Sequence, residues 1–323
     1  MKQLLIIGAG QLGSRHLQGL VKLTERSRIF VVDPSEEALR VARDRAGEIQ
    51  HNHELFFFQT LTQLPNAIDL VIVATNSLVR EKVTTQLLAS FRVGFLVLEK
   101  VLFPDIKAYK QISVQLEKSR TPCWVNHPRR MFQHYKRIKK ALTSSEPTTF
   151  QAAGGNWGLG SNGLHLLDIF SYLDGSVLKS LHVDFLDDTI NASKRGGYIE
   201  FTGTLSGQFS SGSTFQITSW AGEPSPLTLT IFQSSIRFVV QEGSAVQVLK
   251  FDKRSNYKPE SQTGTPLFQS SLTTDLATQL FKTGNCDLPR YEDARILHEK
   301  FLTALLIKYN QLTNQDTTVC PIT

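Results

Sequence analysis

Cysteine is scarce in this sequence: its 323 residues include three, Cys123, Cys286 and Cys320, at spacings that form neither a metal knuckle nor an even disulfide framework. That scarcity excludes a disulfide-stapled secreted scaffold and points to a reducing, cytoplasmic compartment with no bound metal. Long apolar runs are missing as well. No stretch approaches the roughly 18 residues of a membrane helix, and Leu4 to Ile7 is too short for a signal peptide and leads into glycines rather than a cleavage site. Internal repeats and low-complexity tracts are absent. The 35 basic residues exceed the 29 acidic ones, a net charge of +6, yet no zinc-finger, RNP or basic-arm pattern accompanies them. An anionic small ligand, rather than nucleic acid or membrane, accounts for the excess.

What is present begins at once. Leu4-Leu5-Ile6-Ile7 has the apolar continuity of a buried parallel strand and runs into Gly8-Ala9-Gly10-Gln11-Leu12-Gly13, a Gly-x-Gly-x-x-Gly loop that opens a helical pattern. Strand, tight turn and helix in that order form a dinucleotide fingerprint: Gly8 for the turn, Gly10 for close approach of a pyrophosphate, Gly13 for helix-on-strand packing. Asp33 ends the second strand about 20 residues on, where a carboxylate receives the adenosine ribose hydroxyls and repels a 2′-phosphate, favouring NAD over NADP. Ser35 is placed to cap the next helix, leaving Asp33 free for that task.

Short β-branched runs alternate with helical patterns up to about Asn126, the signature of a doubly wound parallel sheet. Strands are predicted at Arg28 to Val32, Leu55 to Phe58, Asp69 to Ala74, Val93 to Leu98 and Cys123 to Asn126. Beyond Pro128 a basic helix (Met131 to Leu142), a strand (Phe150 to Ala153), a glycine-rich segment (Gly154 to Gly163) and a helix (Leu164 to Leu173) follow. From Leu181 to Phe251 the period is two, with Ile199, Phe201, Leu205, Phe209, Phe215 and Ile217 on one face and Glu200, Thr202, Thr204, Gln208, Thr214 and Gln216 on the other. Roughly six antiparallel strands with one buried and one polar face fit this pattern. Asn256 to Thr265 reads as a polar loop, and helices are predicted over Leu272 to Phe281 and Tyr291 to Leu312. The fold class is therefore α/β: a Rossmann domain over 1–126, then an α+β substrate domain over 127–323 with a large open-faced sheet, its last helices able to pack back on the first domain. Such a sheet either faces water or pairs with a second copy, so a homo-oligomer, dimer or tetramer, is expected through it.

Several segments in order resemble the Gfo/Idh/MocA family, the glucose-fructose oxidoreductase and inositol dehydrogenase group. Gly8 to His16 is similar to its Gly-x-Gly-x-x-Gly-x-x-His opening, and Ala74-Thr75 to its Ala-Thr-Pro segment, with Asn76 for the proline and Arg80 for a histidine. Glu99-Lys100-Val101 resembles Glu-Lys-Pro in two positions. Asn126-His127-Pro128-Arg129-Arg130 is similar to an Asn-x-Arg region. Gly160-Ser161-Asn162-Gly163-Leu164-His165-Leu166-Leu167-Asp168 resembles Asp-x-Gly-x-His-x-x-Asp, with Ser161 for the first aspartate, and Leu288 to Ala294 is similar to the entry of the C-terminal helix.

The resemblance implies a dehydrogenase for a secondary alcohol or ketone on a sugar-like substrate. It implies cofactor contacts from Gln11, Leu12, Ala74, Thr75, Asn76, Glu99 and Lys100, and substrate contacts from Lys100, Asn126, Ser161, Asn162 and His165. Lys100 and His165 are the implied proton-handling pair, with Asp168 orienting the imidazole or salt-bridging nearby. Read from the residues alone, Arg129 and Arg130 form the strongest basic concentration with the helix behind them, and arginine forks suit a phosphate or carboxylate. A sugar phosphate, nucleotide sugar or sugar acid follows as the expected substrate. Ser161, Asn76 and Val101 leave open a non-catalytic reading, in which the fold binds a dinucleotide for regulation or assembly.

Overall fold

A computed structural model describes residues 1–323 and divides them into two compact units, Met1–Pro128 with Leu267–Arg295 and Arg129–Pro266 with Ile296–Thr323. The first unit is built from β1 (Lys2–Ile7), α1 (Gln11–Leu20), β2 (Ser27–Val32), α2 (Glu36–Gly47), β3 (Glu54–Phe58), β4 (Ala67–Val73), α3 (Ser77–Ser90), β5 (Arg92–Leu98), α4 (Ile106–Ser119) and β6 (Cys123–Val125). Its sheet has the order β3-β2-β1-β4-β5-β6 with every pair parallel. Leu4, Leu5 and Ile6 of β1 and Leu70, Val71 and Ile72 of β4 are fully buried, as befits central strands covered on both faces. The strand order reverses between β1 and β4. Ligands of doubly wound sheets bind beyond the carboxyl ends at that point.

The second unit begins with α5 (Gln133–Ala141), β7 (Thr149–Gly155) and α6 (Leu159–Asp174). It continues through β8 (Leu178–Ala192), β9 (Ile199–Phe209), β10 (Thr214–Trp220), β11 (Leu227–Phe232), β12 (Ile236–Glu242), β13 (Val246–Asp252) and β14 (Pro259–Gly264). These strands form one sheet, β14-β13-β12-β11-β7-β10-β9-β8, antiparallel except where β7 meets β10. The alternation read from sequence is realised at Phe201, Leu205, Phe209, Phe215 and Ile217, which are buried on the face that receives α6, where Phe150 stacks on Phe170 at 5.0 Å; near the start of β9 it weakens, with Ile199 half-buried and Thr202 buried.

Three details differ from the sequence reading. The sheet has eight strands where about six were expected, because β7 joins it and the polar segment 256–265 contains β14, paired with β13 from Val246↔Gly264 to Phe251↔Pro259. Every residue of β14 is exposed, so no apolar face marks it and only the free edge of β13 recruits it. The basic helix is shorter than predicted, its start replaced by a single 3-10 turn over Pro128–Met131. And α6 starts at Leu159, inside the glycine-rich segment.

The last helices are α7 (Gln269–Thr283) and α8 (Tyr291–Thr313). In the first unit α7 crosses α1 at Gly19, where a Cβ would stand 2.5 Å from the Ser270 carbonyl and 2.6 Å from Thr273 Cβ. Thr274 Oγ1 donates to the Gly19 carbonyl at 2.8 Å. No helix is long and apolar enough to cross a membrane.

Candidate functional site

The glycine loop is shaped by three distinct needs. Gly8 has φ +95°, and a Cβ there would lie 2.7 Å from the Thr75 amide nitrogen. At Gly13 a Cβ would lie 1.7 Å from the Gly8 carbonyl oxygen, whereas around Gly10 nothing lies within 4 Å. Close packing therefore fixes the first and third glycines, and the second faces open space. The N-cap of α1, Gly10, offers no side-chain cap, and its first turn carries no acidic residue. Its amides and the positive end of its dipole stay available to an anion.

Asp33 sits beside this loop. Its Oδ2 accepts the Ala9 amide at 2.7 Å and its Oδ1 the Ser35 amide at 2.9 Å, while Ser35 Oγ caps α2 by accepting from Ala38. The carboxylate thus braces the loop and keeps lone pairs for a ligand. Gln11 and Ser14 are tied to Arg45, whose guanidinium donates to Gln11 Oε1 at 2.8 Å and to Ser14 Oγ at 2.5 Å.

Across the strand-order reversal, Ala74 follows β4 and bonds back through its amide to the Ile7 carbonyl at 2.8 Å. Asn76, standing where the motif has proline, caps α3 by accepting the Val79 amide at 3.3 Å. Arg80 is 2% exposed and donates to the carbonyls of Thr75, Val101 and Leu102. One guanidinium therefore joins the end of β4 to the segment just after Lys100. The Lys100–Val101 peptide bond is cis.

Beneath Lys100, which is half-buried at the carboxyl end of β5, lies a closed polar network. His16 Nε2 is 2.8 Å from Glu99 Oε1 and its Nδ1 is 2.8 Å from Thr273 Oγ1. The Thr273 hydroxyl gives its hydrogen to the Gln269 carbonyl, so Nδ1 donates to it and Nε2 faces Glu99. Asn126 Nδ2 donates to Glu99 and, at 3.0 Å, to Gln269 Oε1. Burial pushes the Glu99 carboxyl up, but the bonds from His16 and Asn126 and the charges of His16 and Arg80 outweigh it, leaving it below the usual carboxylate range. Glu99 is thus a buried anchor that fixes the backbone immediately before Lys100.

A nicotinamide dinucleotide fits this unit. The open space at Gly10, the uncapped start of α1 and two buried polar atoms without a protein partner near the strand ends, Thr75 Oγ1 and Asn126 Oδ1, are groups that a bound dinucleotide would use. A groove of about 1120 Å³ in the same unit, lined by Glu117, Arg120, Cys123 and Arg290, lies instead at the amino end of β6. It is remote from the carboxyl ends where this chemistry belongs.

The second unit holds the other predicted residues. Arg129 forms a fork on Glu242, with Nε to Oε1 at 3.0 Å and Nη2 to Oε2 at 2.6 Å, and Tyr135 donates to the same carboxylate at 2.6 Å. Arg130 grips Asp168 in the same way, at 2.9 and 2.7 Å. Both forks are thus occupied by carboxylates of the chain itself. Asp168, on α6 three residues beyond His165, forms the salt bridge that is one of the two roles open to it. Burial raises its carboxyl above the usual range despite Arg130 and Arg129. For Glu242 burial also raises, but Arg129, Tyr135 and His134 prevail and the carboxyl stays low.

Ser161, Asn162 and His165 lie in the first two turns of α6. Ser161 donates through both its amide, at 3.2 Å, and its hydroxyl to the carboxylate of Glu200 on β9. Asn162 Nδ2 donates to the Trp157 carbonyl at 2.9 Å, and His165 is half-buried one turn further on. Sequence reasoning missed Arg80, Thr273 and Gln269 in the first unit and Glu242 and Glu200 in the second. Arg80 alone left a signal, as the residue standing in for a motif histidine.

Residues 2–127 match the family model described as the oxidoreductase family with an NAD-binding Rossmann fold, GFO_IDH_MocA. No curated protein matches the chain by sequence. Among solved structures it is similar to a putative NADPH-dependent oxidoreductase from Desulfitobacterium hafniense, with 12% identity, TM-score 0.74, and coverage of 97% of this chain and 96% of that one. It is also similar to an oxidoreductase from Agrobacterium radiobacter in complex with NAD+, L-tartaric acid and magnesium, with 15% identity, TM-score 0.72, and coverage of 96% and 97%. A third likeness is to the transcriptional regulator Gal80p from Kluyveromyces lactis, with 13% identity, TM-score 0.70, and coverage of 96% and 93%. What is shared at these identities is the fold, and one fold serves several functions. The open glycine loop and doubly wound strand order of residues 2–127 agree with that family model.

Proposed function

We propose that the protein is an NAD-dependent oxidoreductase interconverting a secondary alcohol and a ketone on a sugar-like substrate, with Lys100 and His165 handling the proton. The observation that carries this reading is the position of Lys100: it follows the carboxyl end of β5 by two residues, in the unit whose glycine loop is open at Gly10, and the residue before it is anchored by His16 and Asn126. A bound nicotinamide supplies acceptance of the hydride that leaves the carbinol carbon. The chain's own task is the hydroxyl proton. Lys100 Nζ hydrogen-bonds the reacting oxygen, and the His165 imidazole, a group that exchanges protons near neutral pH, receives the proton. NAD is favoured over NADP because the Asp33 carboxylate accepts ribose hydroxyls and repels a 2′-phosphate. Since Arg129 and Arg130 are held by Glu242 and Asp168, the substrate is defined by its hydroxyl rather than by a charge those two would read.

The test is NAD reduction over a panel of neutral sugars, sugar acids and phosphosugars, with NAD and NADP affinities measured by calorimetry. The wild type should turn over at least one class and bind NADP about tenfold more weakly. His165→Ala should bind NAD unchanged, Lys100→Ala should still bind it, and both should lose about a hundredfold or more in kcat. Full turnover by either variant would remove that residue from the mechanism. Tight NAD binding by a wild type that turns over nothing would favour a dinucleotide-responsive regulatory or assembly protein.

A further inference from the structure

The start of α6 is arranged around a carboxylate that its own sequence does not contain. Gly158, at φ +79°, offers no cap of its own, and the first turn has no acidic residue. Glu200, the second residue of β9, fills that place: its Oε2 accepts the Ser161 amide at 3.2 Å and its Oε1 the Ser161 hydroxyl. Two glycines clear the room. A Cβ at Gly158 would stand 3.0 Å from Oε1, and one at Gly160 3.0 Å from Oε2. The strand end bearing Glu200 is itself pinned, since the Ile199 amide donates to the Pro321 carbonyl at 2.9 Å. Ile322 Cγ2 would meet the same Gly160 Cβ at 3.1 Å.

Ser161 and His165 are four residues apart on α6 and so share one helix face. We infer that Glu200 is a positioning residue of the proposed proton transfer: through Ser161 it places a fixed negative charge on the His165 face of α6, the charge that serine at 161 does not itself carry. The inference rests on the proposed role of His165. A carboxylate near an imidazole favours its protonated form, which matters for a histidine that must accept a proton. Other charges on elements packed against α6 are Arg130, bound to Asp168, and Lys139 over the Tyr172 ring at 3.8 Å. His134, Lys136, Arg137 and Lys140 lie elsewhere on α5, His298, Glu299, Lys300 and Lys308, the last bound to Asp188, lie on α8, Asp174 lies at the far end of α6, and β10 carries no charged residue. Glu200 is the one acidic group bonded to the helix start.

The test reads the His165 imidazole directly, by NMR titration of the full chain with the signal assigned by its loss in His165→Gln. Glu200→Gln, nearly isosteric, should lower the His165 midpoint by about half a pH unit or more and move the pH dependence of kcat/KM with it, while NAD affinity is unchanged. Ser161→Asp added to Glu200→Gln should restore both, because the charge returns to the same face. An unmoved midpoint in Glu200→Gln, or a loss of thermal stability without a titration change, would reduce Glu200 to a helix cap and overturn the inference. The titration needs no substrate. A shifted midpoint in a protein that turns over nothing would therefore defeat the proposed function and leave the Glu200–His165 coupling standing.

Discussion

Each unit contains a strand that runs through glycines into a helix, and the two treat the positive end of that helix in opposite ways. After β1 the helix start is left open: no side chain caps α1, and a Cβ at Gly10 would meet nothing within 4 Å. After β7 the helix start is closed from within, with Glu200 seated on Ser161. The same contrast extends to the arginines. Arg129 and Arg130 look in sequence like a waiting anion site, yet each grips a carboxylate of its own unit. A glycine-rich turn before a helix therefore says that something negative comes close. Whether that charge is a ligand or the protein's own is decided by residues far away in sequence.

The largest expected effect tests the open side. Gly13→Ala puts a methyl group 1.7 Å from the Gly8 carbonyl oxygen, which only a displacement of α1 from β1 can relieve. A loss of about 3 kcal/mol or more in stability is expected, with NAD binding abolished in calorimetry. Gly10→Ala, with no neighbour within 4 Å, should unfold like the wild type and lose only NAD affinity. If Gly10→Ala bound NAD normally, the space at this loop would not be a dinucleotide cradle.

A second effect sharpens the closed side, and its sign depends on pH. Glu242 is held below its ordinary range, so the stability it contributes is present above the unfolded carboxyl value and is lost as pH falls through the lower, folded one. Asp168 is raised, so the sign is reversed. At neutral pH its ionised form costs more to bury than Arg130 returns, and that cost is relieved as pH falls through the raised value. In thermal denaturation at pH 7, Glu242→Gln should therefore cost about 3 kcal/mol and Asp168→Asn less than half of that. The gap should narrow toward acid pH. Equal losses at pH 7 would mean that the two arginine forks are energetically equivalent.

How much of this was legible in the sequence follows the same division. The glycine loop, Asp33 and the strand end before Lys100 rest on local pattern, because a covered parallel strand is apolar throughout and its end is marked where the apolar run stops. Glu200 was visible only as a residue on the polar face of an alternating strand, where a solvated carboxylate is the ordinary expectation. Its partner lies 39 residues away, and the partners Arg129 and Glu242 lie 113 apart. Such pairings are made by sheet topology, and no local periodicity records them. Strand β14 escaped for a related reason: with all six residues exposed it has no buried face to betray it.

The smallest effect is the most discriminating. At Gly160 a Cβ would stand 3.0 Å from Glu200 Oε2 and 3.1 Å from Ile322 Cγ2, tight contacts, but with the ends of side chains that can turn aside. Alanine in a helix also recovers up to about 1 kcal/mol over glycine, so Gly160→Ala should leave thermal stability within about 1 kcal/mol of the wild type. The methyl group should nonetheless push the Glu200 carboxylate off Ser161. The His165 midpoint should then move in the same direction as in Glu200→Gln, by a smaller amount, because the charge is displaced rather than removed. Stability and titration thus part company at Gly160, whereas at Gly13 stability and binding fall together. A loss of stability at Gly160 as large as at Gly13 would mean that this glycine serves backbone packing, and the two helix starts would then differ in sequence without differing in kind.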